Sequence, residues 1–361
     1  MRNISCTILV HSNSGHIQQL FTGFLMLHRR GLINLKQRVI KKNVIDLTKP
    51  PYLQDARHAH LHVILNDSLH LHYDMHDSQE IDQEYLQESH FYFKRSYSSS
   101  LIKKSEEYRK KIFPFGLYYP VYPENFDKYA FTRIKVSGNT SDQIKAVFRS
   151  FPFLDRFYFT PRVSLMESLP EINLQSKVLF MAKAFNPYDR SDRIQKKVEE
   201  RRNINDFRAR CIRLLRKKFG SVFYGGFWHS DYAQKNYRDL LLPDIKQSSK
   251  RKYINRLKYY PICIATKGLH ESIGAKFAEY IAFSKAIVTE RMNFEIPGTL
   301  EEGNNYLSFN TPEECVENVE RLFSDLNLRN QMMINNSKYY HSYLRPDSLL
   351  LNTILTTLSY C

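Results

Sequence analysis

The chain opens on an unbroken apolar run, "ISCTILV", followed by polar "HSNSGH" and then by apolar positions Ile17, Leu20, Phe21, Phe24, Leu25 and Leu27. A run without alternation suits a strand covered on both faces; spacing at i, i+3 and i+4 suits a helix with a wide buried stripe. The helix is expected to begin near Gly15 or His16 and to end at Gly31. "QRVIKK" reads as a second strand. "HLHVILND" and "LHLHYDMHD" flank "NDS", which predicts a hairpin or strand-turn-strand. "EIDQEYLQES" predicts a short helix and "HFYFKRSYS" a strand with its exit loop. The proline-punctuated "KIFPFGLYYPVYP" is expected to be irregular, and "SDQIKAVFRSF" to be a helix capped by Ser141 or Asp142.

The pattern weakens between Phe151 and Gln175, where Pro152, Pro161 and Pro170 fall, and a domain boundary is expected there. A second alternation follows: strand "SKVLFMAKAF", a long basic helix or helix pair closed by Gly220, strand "SVFYGGF", helix "SKRKYINRLKYY" and strand "PICIAT". It continues with helix "IGAKFAEYIAFS", strands "KAIVTE" and "NNYLSF", and a helix with Thr311 as N-cap and Pro312 as its first residue. A last long helix, "NLRNQMMINNSKYYHSYL", is broken by Pro346. No repeat of 20–50 residues and no low-complexity tract is present.

Two strand-helix alternations predict an α/β chain of two doubly wound, Rossmann-like domains facing across a cleft. The expected division is 1–160, 161–345, and a segment 346–361 that packs back on the N-terminal domain. Ligands of such folds bind at the carboxyl ends of strands.

Composition narrows the class. The 361 residues are 42% hydrophobic and 25% charged, which is ordinary for a globular protein. No apolar run approaches the roughly 18 residues of a membrane span, and "ISCTILV" is too short for a signal-peptide core. The five cysteines are scattered, with no CxxC pair, so a reduced, cytoplasmic setting and no zinc ribbon are expected. A net charge of +16 favours anionic partners without choosing among nucleotides, nucleic acid and acidic lipid.

The densest chemistry lies in "PICIATKGLHESIGAKFAEYIAFSKAIVTE". A strand leads into a loop from Thr266 to Gly274, and the loop opens a helix at about Ala275. Free backbone N–H groups at that helix start favour an anion. Lys267 and Lys276 add positive charge for a phosphate, and Gly268 and Gly274 permit close backbone approach. Glu279, one turn into the helix, suits a ribose diol; Glu271, on the loop, suits sugar hydroxyls. Lys276 and Glu279 also read as an i,i+3 surface pair.

Glu271, seven residues and Glu279 resemble the donor-site motif of GT-B glycosyltransferases of the group 1 type. "KAIVTE", the stretch from "IPGTLEEGNNYLSF" to "MMINN", and "KVLFMAKAFNP" resemble other parts of that family's donor domain, so the likeness spans about residues 175–345. It implies a nucleotide-diphosphate sugar, with Glu279 on the ribose and Glu271 on the transferred sugar. Lys183 stands where the family usually has an arginine for the diphosphate. The family's second lysine is replaced by Tyr188, with Arg190 the next basic residue and Lys276 a substitute. Trp228 and His229, after the second strand of the domain, fall where base and ribose contacts are expected. The resemblance further implies a transferase that retains anomeric configuration, needs no metal or other cofactor, and serves a glycan or lipid-linked acceptor in cell-surface polysaccharide synthesis. No Asp-x-Asp metal motif stands out, so no metal ligands are assigned.

In the first half, Ser14, Gly15 and His16 form the loop expected to face the acceptor, and His76 and Asp77 are candidates for acceptor binding or for a base. His58, His60 and His62 alternate, as do His70 and His72; a hairpin would set His62 opposite His72, where two imidazoles can hold a metal or simply line a sheet face. The basic runs "RRGLINLK", "KKSEEYRKK" and "RARCIRLLRKK" read as solvated faces or as docking surfaces for anionic lipid on the inner membrane face. In the last run Ile212, Leu214 and Leu215 interleave with the basic residues. The alternatives are a sugar-nucleotide epimerase of the same fold, a basic nucleic-acid or anionic-surface binder, and a degenerate transferase kept as a partner subunit. No nucleic-acid motif supports the binder.

Overall fold

The structure, a computed structural model, describes residues 4–40, 59–103, 105–191 and 193–360. It divides into a first unit of residues 1–166, 294–298 and 341–361 and a second of 167–293 and 299–340. The boundary thus falls at 166/167, where the proline pattern suggests 160/161, and the chain returns to the first unit twice.

The first unit is built on strands β1 (Ile4–Val10), β2 (Ile33–Val39), β3 (His60–Leu65), β4 (Leu69–Asp74), β5 (Phe91–Lys94) and β6 (Ile112–Pro114), in the order β2-β1-β3-β4-β5-β6. β3 runs antiparallel to both β1 and β4, and the other pairs are parallel, so the sheet is mixed rather than uniformly parallel. The hairpin forms as expected over "NDS", with Asn66 and Asp67 at positive φ, which short polar side chains tolerate. β2 starts at Ile33, four residues before "QRVIKK", because Ile33 and Leu35 are its buried positions; Lys41 and Lys42 lie outside the described residues, as does His58. β6 forms where the prolines suggest irregular chain; Pro114 is tolerated on an edge strand.

Helix α1 (Gln18–Arg29) follows a 3-10 turn at Gly15–Ile17 and stops at Gly31, whose φ of 71° favours glycine. The short helix α2 (Gln83–Glu88) precedes β5, and α3 (Ala130–Lys135) and α4 (Thr140–Ser150) follow β6. Asn139, not Ser141 or Asp142, caps α4, its Oδ1 accepting from Asp142 N at 3.0 Å.

The second unit carries β7 (Val178–Ala182), β8 (Phe223–Phe227), β9 (Ile262–Ala265), β10 (Ala286–Glu290) and β11 (Leu307–Phe309), all parallel, in the order β11-β10-β9-β7-β8. The basic stretch is one helix, α5 (Gln195–Phe219), closed by Gly220 at φ 51°. α6 (Lys250–Leu257), α7 (Ala275–Ala282), α8 (Pro312–Ser324) and α9 (Leu326–Tyr339) complete the unit. Thr311 caps α8 through Glu314 N at 3.1 Å, with Pro312 at its first position.

Pro346 begins the last helix, α10 (Pro346–Ser359), which packs on α1 within the first unit. Gly23 makes this approach possible: a Cβ there would sit 2.2 Å from the Pro346 carbonyl oxygen. Gln19 Nε2 donates to the Leu344 carbonyl at 3.2 Å, Tyr73 and Thr353 share a hydroxyl bond of 2.9 Å, and buried Asp347 accepts from Arg30 at 2.8 Å. Among the described residues no helix is long and apolar enough to cross a membrane. Gly23→Val is expected to force α10 off α1 and lower stability by about 1–3 kcal/mol, the usual cost of overpacking. Urea unfolding measures this; an unchanged midpoint would mean that the α1–α10 contact is not formed.

Candidate functional site

In the second unit, strand order reverses between β7 and β9, because successive strands are laid down on opposite sides of β7. Such a switch point opens a crevice outside the carboxyl ends of the two strands. Lys183 stands at the exit of β7, and the Thr266–Gly274 loop at the exit of β9.

Both exits are fixed from below by α5. Its buried stripe runs Val198, Arg201, Asn205, Arg208, Ile212, Leu215, at alternating steps of three and four. Asn205 brackets Phe185, accepting from its N at 2.8 Å and donating to its carbonyl at 2.7 Å. Arg208 donates Nη1 to the Lys183 carbonyl at 2.7 Å, Nη2 to the Lys267 carbonyl at 2.7 Å and Nε to Thr266 Oγ1 at 2.9 Å. The guanidinium also lies 5.0 Å over the Phe185 ring. Burial pushes Arg208 down to about 10, partly opposed by Glu290, so it stays charged. In the sequence Arg208 stands out only as part of the basic run "RARCIRLLRKK", and Asn205 does not stand out; the signal is three polar residues, Arg201, Asn205 and Arg208, on a buried helix stripe.

These contacts correct the reading of "RARCIRLLRKK" as a lipid-facing surface. Ile212 and Leu215 are fully buried in the core, and Arg216 donates to the carbonyls of Gly225, Asp239 and Leu241. Arg210, Arg213 and Lys218 pair with Glu313, Asp239 and Glu320. The helix therefore presents no apolar stripe to insert.

The β9 exit loop is tightly wound. Gly268 N donates to the Ser272 carbonyl at 2.8 Å, and a Cβ on Gly268 would meet the rotatable Ser272 Oγ at 2.7 Å, so the turn brings these two residues close together. Lys267 N donates to Glu290 Oε2 at 3.0 Å. His270 and Glu271 both adopt left-handed backbone, which turns the loop outward, and the exposed Glu271 carboxylate accepts from Asn293. Gly274 is the N-cap of α7, with no side chain capping the helix and no acidic residue in its first turn. That leaves the positive end of the helix open to an anion.

Glu279 is buried on α7 and paired with Lys250 at the start of α6; its Oε2 makes no hydrogen bond. Lys276 is partly buried, and its ammonium donates to the Met181 carbonyl instead of reaching into the loop. It lies 4.7 Å from the ring centroids of both Trp228 and Tyr253. Burial pushes Lys276 down to about 7, with Glu279 opposing. Trp228 follows β8, its N donating to the Ala182 carbonyl at 2.8 Å, and its buried Nε1 has no partner. His229 is tied to the Leu242 carbonyl at 2.8 Å. Trp228, Tyr253, Lys276, Glu279 and Lys250 thus form one connected group, of which Lys250 and Tyr253 were missed because partner choice is tertiary. Lys183 is exposed, its Nζ 6.0 Å over the Phe185 ring.

In the first unit, β1 and β4 run parallel to each other, so their exits share one sheet edge. Ser14 Oγ accepts from His16 N at 3.1 Å and caps the 3-10 turn. Gly15 accepts from Tyr118, and the His16 and Tyr118 rings stack at 6.1 Å. Asp77 pairs with Arg95 at 2.7 Å. His76 N donates to Asp74 Oδ1 at 2.9 Å.

His62 and His72 are strand partners as expected, yet the ring bonds run diagonally: His60 to His72 at 2.7 Å and His62 to His70 at 3.1 Å. Buried Asp74 accepts from Lys94 at 2.8 Å and Tyr92 at 2.6 Å. Burial raises its carboxyl, but Lys94, His60 and His76 together outweigh that and hold it below the ordinary range. Burial pushes His60 from 6.5 down to about 3 and His62 to about 4, and holds His72 well below its ordinary value.

No protein-family model matches the sequence, and no curated protein is significantly similar to it. Several solved structures align with the chain at low identity. Anabaena Alr3699/HepE in complex with UDP is 11% identical over 98% of both chains, with a TM-score of 0.39. S. aureus MnaA with UDP is 11% identical over 98% of this chain and 76% of that one, at 0.36. The C-terminal domain of a group 1 family glycosyl transferase (LpcC) from Francisella tularensis is 10% identical over 50% of this chain and 95% of that one, at 0.33.

The buried histidines bind protons more weakly folded than unfolded. The unfolded chain therefore takes up the extra protons, and stability falls as pH drops from 6.5 toward about 3. Asp74, held below its ordinary range when folded, adds its own loss as the pH falls through the ordinary carboxylate value of about 4 and continues lower. The thermal midpoint is expected to fall between pH 6.5 and about 4, with a flatter slope in His72→Phe. A midpoint constant across that window would show that these imidazoles are not buried and neutral.

Proposed function

We propose that the chain is a glycosyltransferase that takes its sugar from a nucleotide-diphosphate donor held at the carboxyl ends of β7, β8 and β9. The observation that carries this reading is the switch point between β7 and β9, where an uncapped α7 faces a glycine-wound loop flanked by Lys183 and Lys267. Transfer builds negative charge on the departing diphosphate while the sugar carbon becomes cationic. Lysine side chains and preorganised N–H groups stabilise that charge without reorganising at the moment of reaction. Glu279 serves the ribose diol, which replaces Lys250 as partner of the carboxylate and fills the unused Oε2. Lys250, released, is then free to meet the diphosphate. Glu271 contacts the transferred sugar, and Trp228 offers an indole face to the base. Ser14, Gly15, His16, His76 and Asp77 serve the acceptor in the first unit. We infer no metal at the diphosphate, since these groups supply the positive charge, and retention of configuration, which the resemblance of Glu271, seven residues and Glu279 to the group 1 donor motif implies.

A screen of nucleotide sugars by thermal shift tests the donor reading. A ligand at a hundred times its Kd stabilises by about 2.7 kcal/mol, which is readily seen. Glu279→Gln is expected to weaken the hit about tenfold or more, and Lys183→Ala to weaken it less. If neither a nucleotide sugar nor a nucleoside diphosphate stabilises the wild type, the donor assignment fails. Product analysis separates transfer from the epimerase alternative, in which the sugar changes configuration with no acceptor present.

The acceptor is inferred to be glycan or lipid-linked, and a surface of the first unit fits an anionic membrane. Phe131, Phe126, Phe151 and Phe153 touch in series, with ring centroids 4.8–5.7 Å apart. Phe131, Phe153 and Phe157 are more than half exposed, with Lys128, Lys135, Lys145 and Arg156 on the same stretch. Apolar rings ringed by cations match an interface of acyl chains beneath anionic headgroups. The chain is expected to sediment with phosphatidylserine vesicles at low salt, and Phe153→Ser with Phe157→Ser to release it. Concentration-dependent dimerisation without vesicle binding would assign the rings to a second copy of the chain instead.

A further inference from the structure

The first unit contains a cluster in which the transfer reading uses only His76 and leaves His60 and Asp74 without a role. We propose that His60, Asp74 and His76 bind one divalent transition-metal ion, with zinc as the reference ion. The proposal does not rest on the donor site.

The hairpin brings the three residues together. His60 and Asp74 are directly opposed across β3 and β4, and His76 lies two residues beyond Asp74, on the same side by the alternation of extended chain. One ligand atom from each lies within 4.8 Å of the other two. Asp74 Oδ1 and His76 Nδ1 are 3.7 Å apart, and the His60 and His76 rings 4.7 Å apart, edge to face. Tetrahedral zinc, with bonds of about 2.0–2.1 Å, sets its ligand atoms roughly 3.3 Å apart. The cluster therefore closes on an ion by side-chain rotation alone.

The surroundings hold the ligands as a metal site requires. His60 Nδ1 and His72 Nε2 share a hydrogen bond of 2.7 Å; with the proton on His60 Nδ1, its Nε2 lone pair is left for an ion. Asp74 Oδ2 is occupied by Tyr92 and Lys94, and Oδ1 is met by one backbone N–H. Outer contacts of this kind orient imidazole and carboxylate ligands. The Tyr85 ring lies 4.3 Å from His72 and 4.8 Å from His60, walling off one side. His76 is the more accessible ligand, giving an entry path and room for a water in the fourth position. The donor set, two imidazoles and one carboxylate, suits zinc or ferrous iron rather than magnesium or calcium. Lys94, on the other oxygen of the same carboxylate, keeps a second cation close, so micromolar affinity is expected.

The test uses the full chain without a histidine tag, stripped with chelator. Zn2+ is titrated calorimetrically, and Co2+ is followed by its visible bands. One ion per chain is expected. His76→Gln, which removes the most exposed ligand and spares the core, is expected to weaken binding at least about tenfold; His72→Phe, a positioning residue, about tenfold or more. Asp74→Asn is expected to abolish the cobalt bands, and His270→Gln, an exposed histidine of the second unit, to change nothing. No stoichiometric uptake at micromolar ion, or equal uptake by His76→Gln and Asp74→Asn, would overturn the proposal and leave a metal-free stack of imidazoles.

Discussion

The second unit depends on one buried cation. Arg208 reaches from α5 to the loops that leave β7 and β9 and satisfies a carbonyl on each. A guanidinium taken out of water is costly unless its N–H groups are used, and here five donors in a fixed fork meet three acceptors. The arrangement sets the spacing of the two loops at the switch point. Without it, the Lys183 and Lys267 carbonyls and Thr266 Oγ1 would lose their donor, and Lys183, Gly268 and the start of α7 would lose their common reference. A lysine in its place supplies charge but cannot span both loops.

The sequence shows this unit well because local signals and packing agree. Buried parallel strands read as apolar runs, Gly220 marks a helix end, and Thr311 with Pro312 marks a helix start. The first unit is less legible. A reversed strand has the same alternation as a forward one, so β3 does not announce its direction. β2 begins at Ile33, only two residues after Gly31, which reads as a helix end and gives no sign that a strand follows so soon. At the site, the loop glycines and the exit of β7 were visible as residues, whereas pairings were not. Glu279 meets Lys250 from 29 positions away, and Lys276 turns to a carbonyl on a strand 95 positions away. Spacing along a helix carries no information about either.

Charge also changes meaning once placed. The excess of +16 favours anionic partners without saying where on the surface they bind. Part of the basic complement is instead committed to structure: Arg208 and Arg216 hold backbone carbonyls, Lys94 sits under Asp74, and Arg210, Arg213 and Lys218 are paired across the surface of the second unit. The cations at the strand ends and beside the exposed phenylalanines are the ones that the proposed function draws on.

Trp228 is the chain's single tryptophan. It stands at the end of β8 with the Lys276 ammonium over its ring and its own N–H unpaired. An indole next to a cation that loses its proton near neutral pH feels a change in local field whenever that proton moves or an anion arrives. The protein thus carries its own optical probe: one emitter, at one known place, that reads the electrical state of the strand ends without any label.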